Sequence, residues 1–354
     1  MKLTIPRADL ARLLAATTRV VESRNNFPIL SCVKLVADGG KLTATATDLD
    51  IEITSTVTVE AEEDGAICVS AKLLDDIVKK LPPIQDVTLT AADNTLTVKA
   101  GRYTSRLQTL PADDFPAWSV DGFTKHFDID LAALFAPTAF AISTEETRYY
   151  LNGVYIVGTA KTLTAVATDG HRLARHTVAG VGKFDGVIVP RKMVGIVPKG
   201  AVSVSLSSAK IRVTAGETII TSKLIDGTFP DYQRVIPTGN DKIAVFDAAT
   251  MSKAADRVAI VSSERARAVK LNFAADLATL VVNNPDSGSA TEEIAVSYDG
   301  DPIEIGFDSS YLTELIGQFP AGDISLALAD GGSPALFTSD KAEGLLAVLM
   351  PRRV

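Results

Sequence analysis

The chain has 354 residues, a formal net charge of -8, 46% hydrophobic residues and 22% charged residues. That is the composition of a folded protein of two or three domains, and it excludes a disordered one. The acidic balance excludes a simple high-affinity phosphate binder, and 6% aromatics with a single Trp118 exclude an aromatic stacking platform as the main device.

From the amino terminus, Leu10, Leu13, Leu14, Thr17 and Val21 recur at helical spacing and predict a first helix. Period-two alternation follows. Leu42, Ala44 and Ala46 alternate with Thr43, Thr45 and Thr47, and Ile51, Ile53, Val57 and Val59 continue the pattern. Leu73, Leu74, Ile77, Val78 and Leu81 form a second helix face. Val87, Leu89 and Ala91 then lead through an Asp93-Asn94 turn to Leu96 and Val98. A third helix is expected over 131–142 and a fourth over 190–199. Val202, Val204, Leu206, Ile211 and Val213 are strand residues. A fifth helix is expected over 248–261, and Leu312, Leu315, Ile316 and Phe319 mark a sixth. Helices alternating with runs of short strands predict an α+β fold, two helices packed on antiparallel sheets per domain.

The pattern repeats. Leu30 to Asp48 aligns without a gap onto Leu151 to Asp169, and more weakly onto Val269 to Asn284, at steps of about 120 residues. Ile67 to Lys72 matches Val187 to Lys192, and Asp114-Phe115-Pro116 matches Thr228-Phe229-Pro230. A unit of this length is a domain, not a solenoid repeat. Turn-rich stretches near Val120-Asp121-Gly122 and Pro237-Thr238-Gly239-Asn240 place domains at 1–121, 122–240 and 241–354.

Catalytic motifs are missing. There is no phosphate loop, no His-Glu-x-x-His and no Cys-x-x-Cys, and Gly180, Gly182 and Gly186 precede a strand where a dinucleotide fingerprint needs a helix. Asp169-Gly170-His171-Arg172 offers an acid–base pair or a partial metal site, but equally a turn after a strand. No catalytic residue, metal or cofactor is expected. Cys32 and Cys68 are too few for a disulfide framework. Residues Met1 to Arg7 hold no apolar signal core, and no run approaches a membrane span, so a cytoplasmic protein is expected. The expected helices sum to about +6 and the rest of the chain to about -14. That split suits a helical surface facing a polyanion.

Several motifs together resemble the bacterial DNA polymerase III β subunit, the replicative sliding clamp. They are Thr47-Asp48-Leu49, Arg148 to Gly153, Val166 to Ala174, Val189-Pro190-Arg191-Lys192, Ser222 to Tyr232 and Met350 to Val354. They span the chain in the family's order. The resemblance implies three copies of the DNA-clamp fold and a head-to-tail homodimer, a six-domain ring closed around double-stranded DNA without sequence preference. It implies an apolar pocket for short clamp-binding peptides of the replicative polymerase, the clamp loader, and repair and translesion polymerases. Carried over, that pocket comprises Arg148, Leu151, Thr168, Gly170, His171, Arg172, Leu173, Pro230, Arg234, Val235, Tyr311, Val348, Met350 and Pro351. Arg352 and Asp308 depart from the family's pattern there, which often has Met and Asn. DNA-facing candidates are Arg24, Lys192 and Lys199, with Arg7, Lys253 and Arg257 suggested by helix charge alone. The ring interface is expected to pair Arg102, Arg106 and Leu107 with Ile260, Val261, Glu292 and Glu293. The competing readings are an enzyme built on the Asp169/His171 turn and a tandem scaffold that never encircles DNA.

Overall fold

A computed structural model describes residues 1–22, 27–83, 85–119, 122–262 and 268–353. The first repeat comprises β1 (Lys2–Pro6), α1 (Arg7–Thr17), β2 (Cys32–Asp38), β3 (Lys41–Thr47), β4 (Ile51–Thr58), β5 (Glu60–Glu63), β6 (Gly65–Ser70), α2 (Ala71–Lys80), β7 (Asp86–Ala92), β8 (Thr95–Ala100) and β9 (Tyr103–Leu110). The middle repeat comprises β10 (Lys125–Ile129), α3 (Leu131–Phe135), β11 (Gly153–Gly158), β12 (Thr162–Thr168), β13 (Arg172–Ala179), β14 (Phe184–Pro190), α4 (Arg191–Ile196), β15 (Val202–Leu206), β16 (Lys210–Ala215) and β17 (Thr218–Lys223). The last comprises β18 (Lys242–Asp247), α5 (Ala248–Ala259), β19 (Ala268–Ala274), β20 (Leu277–Asn284), β21 (Gly288–Ala295), β22 (Ile303–Asp308), α6 (Ser309–Ile316), β23 (Asp323–Leu328), β24 (Ala335–Thr338) and β25 (Leu345–Leu349). Strand, helix, strands, helix, strands thus recurs three times.

The chain divides into two compact units: Met1–Ile129 with Gly195–Leu224, and Asp130–Val194 with Ile225–Val354. The middle repeat contributes to both. In the first unit a 13-stranded sheet runs β10-β15-β16-β17-β4-β3-β2-β6-β9-β8-β7-β1-β5. Its seam between repeats is β4 against β17, antiparallel, with Ile53 opposite Ile220. In the second unit an eight-stranded sheet runs β14-β11-β12-β13-β25-β24-β23-β18, and a four-stranded sheet runs β21-β20-β19-β22. The equivalent seam is β13 against β25, with Ala174 opposite Ala347.

Local chemistry explains the elements. Inward positions of β3 and β4 (Leu42, Ala44, Ala46, Ile51, Ile53) are buried, while the Thr43–Thr56 and Thr45–Thr54 hydroxyl pairs line the other face. Leu10, Leu13 and Leu14 of α1 are fully buried with Leu74 and Val78 of α2. Each such leucine contributes roughly 2 kcal/mol by leaving water. Asp93 and Asn94 both take positive φ (49° and 55°), as the tight β7–β8 hairpin requires. Helix starts reuse one device. Ser70, Asp130, Asp247 and Asp308 each accept a backbone N–H of the first turn through the side chain.

Four expectations need correction. Leu73 is 49% exposed, and Asp75 turns inward instead, paired with Lys79 Nζ at 2.5 Å. The third helix is only Leu131–Phe135, because Pro137 has no N–H to continue the ladder. The fourth is only Arg191–Ile196, ended by Gly195 and the Val197-Pro198 pair. Lys199 therefore lies in a loop, exposed, and not on a helix.

Candidate functional site

The site begins with a turn that occurs twice. Between β3 and β4, Asp48 Oδ1 accepts the N–H groups of Asp50 (2.9 Å) and Ile51 (2.7 Å), and Thr47 Oγ1 donates to Ile51 O (2.8 Å). Between β12 and β13, Asp169 Oδ1 accepts from His171 N (2.9 Å) and Arg172 N (3.0 Å), and Thr168 Oγ1 donates to Arg172 O (2.8 Å). The backbone is the same; the side chains are not. Where the first turn carries Leu49 at φ +77°, the second carries Gly170 at φ +91°. A Cβ at Gly170 would lie 2.7 Å from Arg148 Nη1, so glycine there lets Arg148 close over the turn and donate to Asp169 O (3.4 Å).

Asp169 is consumed by this geometry. Its Oδ2 takes Arg172 Nε at 3.0 Å, and the His171 ring lies beside Tyr311, centroids 6.1 Å apart. The pair offered by the sequence as acid and base is therefore a turn and its brace, and the enzyme reading loses its one foothold. Arg172 Nη1 reaches Glu314 Oε2 at 2.5 Å. Its guanidinium sits 4.3 Å from the Tyr311 ring centroid and 5.0 Å from that of Phe140. Burial pushes the Tyr311 hydroxyl up from its ordinary range, and the Asp169 carboxylate adds to this. One cation thus ties the β12–β13 turn to α6.

Leu173 and Val348, opposite each other across β13 and β25, form a buried floor with Val166 and Leu346. Tyr155, Phe229, Tyr232, Ile236 and Leu336 pack against it. Tyr155 stacks on Phe229 at 4.9 Å, which lays the 229–236 segment on this patch. That segment brings Pro230, Arg234 and Val235. Val235 is 49% exposed, and Arg234 pairs with Asp231 at 2.9 Å. The tail closes the other side. Met350 N donates to His171 O at 2.8 Å, and the Met350 side chain is 40% exposed. Pro351 follows it, half-buried. A buried apolar floor, with exposed Val235 and Met350 on the segments that border it and the His171–Tyr311 pair at the adjoining turn, is a cup suited to apolar side chains of a peptide. Leu151 departs from expectation: it is fully buried and supports the 3-10 segment Glu146–Leu151 that carries Arg148. Beside the cup, a cleft of about 420 Å³ is lined by Phe140, Glu145, Arg191 and Glu314 together with His171, Arg172 and Tyr311.

Sequence reasoning missed Phe140, Tyr155, Tyr232 and Glu314. No local pattern marks them, because each acquires its place through partners far along the chain. The expected cationic residues scatter. Arg24 lies outside the described residues. Arg7 donates to Val78 O (2.9 Å) and Lys79 O (2.8 Å) at the end of α2, and Arg19 to Ile196 O and Gly195 O (both 3.0 Å) at the end of α4. These arginines satisfy helix carbonyls, so the helix charge count overstates what is available to a polyanion. Lys192 is half-buried on α4, and Lys253 is exposed on α5. Arg257 is bound by Glu292 on β21, whose carboxyl it holds below the usual range.

Of the expected interface residues, Arg102, Arg106 and Glu293 are exposed, and Ile260 is 80% exposed. Leu107 belongs instead to its own domain core, at 6% exposure opposite Leu96. Val261 packs on the last repeat's core, and Val261 O accepts from Asn284 Nδ2 (2.9 Å).

Three copies of one helix-on-sheet domain, seamed strand to strand and bearing an apolar cup, define a DNA-clamp protein. Family models for the N-terminal, central and C-terminal domains of the DNA polymerase III beta subunit match residues 1–119, 129–231 and 233–353. The beta sliding clamp of Caulobacter vibrioides is 44% identical, and that of Escherichia coli 32%, each alignment covering 100% of both chains. A Bartonella birtlesii sliding clamp solved with griselimycin bound superposes with a TM-score of 0.97 at 44% identity, covering 100% of both chains. A Caulobacter crescentus clamp gives 0.96 at 43%, covering 100% of this chain and 99% of that one. The chain belongs to the DNA polymerase III beta subunit family, the bacterial sliding clamps.

Proposed function

We propose that this chain is a DNA polymerase processivity factor, a clamp that encircles duplex DNA and tethers the polymerase and other DNA-processing proteins. It is a non-catalytic subunit. The tether replaces repeated encounter by a high effective concentration at the primer end. Retention is topological, so a chain of net charge -8 holds DNA without tight phosphate contacts. Lys192 and Lys199, with Arg24, are the DNA-facing residues of this reading. The clamp domains run 1–121, 122–240 and 241–354, and the protein works in the cytoplasm.

The observation that carries ring closure is a pair of strands left without a seam partner, one at a sheet end and one paired on its outer side over two residues. β4 and β13 each take a seam partner, β17 and β25. Their equivalent in the last repeat is β21, which ends its sheet. The equivalent of β17 in the first repeat is β9, which meets β6 only at Thr109 and Leu110. Joining β21 to β9 of a second copy repeats the seam and, applied twice, closes a dimer. Internal symmetry also sets the register. Ile53 lies across from Ala46, as Ala290 lies across from Val282; Ile220 lies across from Val213, as Ser105 lies across from Val98. Ala290 then pairs with Ser105 of the second copy, which puts Glu293 opposite Arg102.

The cup is the docking site for partner peptides. Leu173 and Val348 supply its floor; Arg148, Thr168, Gly170, His171, Arg172, Pro230, Arg234, Val235, Tyr311, Met350 and Pro351 supply its walls and rim, with Leu151 beneath. Griselimycin, bound by the Bartonella relative, is a ready probe.

Sedimentation equilibrium across a dilution series tests the ring. The expected mass is near twice 37.4 kDa. Loaded on nicked circular DNA by a clamp loader, the protein should stay until the circle is linearised. A monomer at every concentration, or equal retention on linear and circular DNA, would return the reading to a tandem scaffold.

A further inference from the structure

Three contacts help to fasten the carboxy-terminal tail among the described residues. Met350 N donates to His171 O at 2.8 Å, and Arg352 N donates to Gly306 O at 2.8 Å. Within two residues the tail has passed from the β12–β13 turn to β22. Arg352 Nη1 then meets Asp308 Oδ2 at 3.0 Å, the side chains 43% and 17% exposed. The other oxygen of Asp308 accepts the N–H groups of Ser310 (3.0 Å) and Tyr311 (3.2 Å) at the start of α6. A single carboxylate therefore holds the tail that carries Met350 and the helix that carries Tyr311. Both adjoin His171, whose carbonyl accepts Met350 N and whose ring lies beside Tyr311.

We infer that Asp308 and Arg352 are positioning residues for the cup: their ion pair sets the spacing of Met350 and Tyr311, and that spacing decides which apolar side chain a docked peptide can seat. The inference rests on the peptide-docking reading above. Its physics is separable from folding. An ion pair that solvent reaches through the Arg352 side contributes little to global stability. Met350, in contrast, lies beyond the last strand, where the tail's own bonds fix it. Asp308 and Arg352 cancel each other's charge, so the effect is geometric and shows as selectivity.

Fluorescence anisotropy with two labelled short peptides, one ending in phenylalanine and one in leucine, provides the test on the full chain. The proteins are wild type, Asp308→Asn, Arg352→Met, Arg352→Lys and the Asp308→Asn/Arg352→Met double variant. Asparagine caps a helix as well as aspartate does, so Asp308→Asn removes the ion pair and keeps the α6 cap. Each single change should weaken the better peptide roughly fivefold and narrow the gap between the two, with the double variant no worse than either single, as expected of residues acting as one unit. Arg352→Lys should recover part of the loss, and melting temperatures should stay together. Wild-type affinity and ranking in Arg352→Met, or strictly additive losses, would overturn the inference. Met350→Ala separates the two readings. If wild type binds neither peptide, or Met350→Ala binds as wild type does, the cup reading fails and this inference with it. If Met350→Ala loses binding while Arg352→Met does not, only the positioning role falls.

Discussion

At position 172 a guanidinium lies between two rings and two carboxylates, with its side chain 10% exposed. Removing it leaves the largely buried Asp169 carboxylate without its cation, releases the half-exposed Glu314 to solvent and opens the space between Phe140 and Tyr311. Breaking a largely buried pair in this way costs several kcal/mol, because the remaining charge keeps its desolvation penalty. Arg172→Ala should therefore lower unfolding free energy by about 3 kcal/mol in urea titration. Arg172→Lys should recover only part, since an ammonium has neither the fork for two carboxylates nor the planar face for two rings. Cys68 makes a different residue-scale case. Burial, and then the neighbouring Cys32, push its thiol from an ordinary value near 9.0 to about 12. The native state keeps that proton longer than the unfolded chain does. Stability is unaffected below pH 9 and falls as pH rises from there toward 12. One proton gives a slope of up to about 1.4 kcal/mol per pH unit. The difference in stability between wild type and Cys68→Ala, followed by denaturant melts across that window, should change by that slope.

The repeated Thr-Asp turn is an element whose two copies differ in one informative place. Leu49 holds φ +77° and is 41% exposed, so it bears left-handed strain and buries little in return. Left-handed backbone costs a branched residue about 1–2 kcal/mol, and glycine gives back about 0.5–1 kcal/mol through the entropy of the unfolded chain. Leu49→Gly, which reproduces the Gly170 turn, should raise stability by roughly 0.5 kcal/mol in the same melts. Such elements were largely legible in the sequence. Period-two alternation from Leu42 to Val59 can be satisfied only by a half-buried strand pair, and the recurrence of Thr-Asp at a fixed offset exposed the repeat. The lengths of α3 and α4 were overread because apolar spacing runs on through Pro137 and Pro198, and backbone chemistry overrules spacing there. Leu73 and Asp75 exchanged places because the helix could bury a carboxylate alongside its Lys79 partner. The turn was legible from its Asp-Gly pair, but the cup's floor was legible only through family resemblance. Nothing local marks Leu173 as a floor residue, or joins Asp308 to Arg352 across 44 residues. The arginines at 7 and 19 looked like free cations for the same reason, since the carbonyls they cap lie on other helices.

On the scale of the whole molecule, the seam is the repeated structural theme. A strand following the turn of one repeat pairs with the last strand of another, twice within the chain; the equivalent β21 ends its sheet, and the equivalent β9 meets β6 over two residues alone. In the proposed dimer the symmetric register pairs Glu293 with Arg102 of a second copy, while Glu292 stays with Arg257 inside its own chain. On that proposal the two acidic neighbours differ in role: one braces α5, the other faces across the seam. Antiparallel cross-strand charge pairs contribute roughly 0.2–1 kcal/mol each, and like charges placed opposite are unfavourable by a similar amount. A dimer closed by two identical seams feels every change twice. Glu293→Arg should therefore weaken dimerisation by about tenfold or more in sedimentation equilibrium, through two Arg–Arg contacts per ring. Adding Arg102→Glu restores opposite signs at both seams and should return the dimer toward wild-type strength. Glu292→Arg combined with Arg102→Glu should not, because in this register residue 292 faces Tyr103. If the 292 pair restores the dimer and the 293 pair does not, the seam is shifted by one residue from the register the repeats imply.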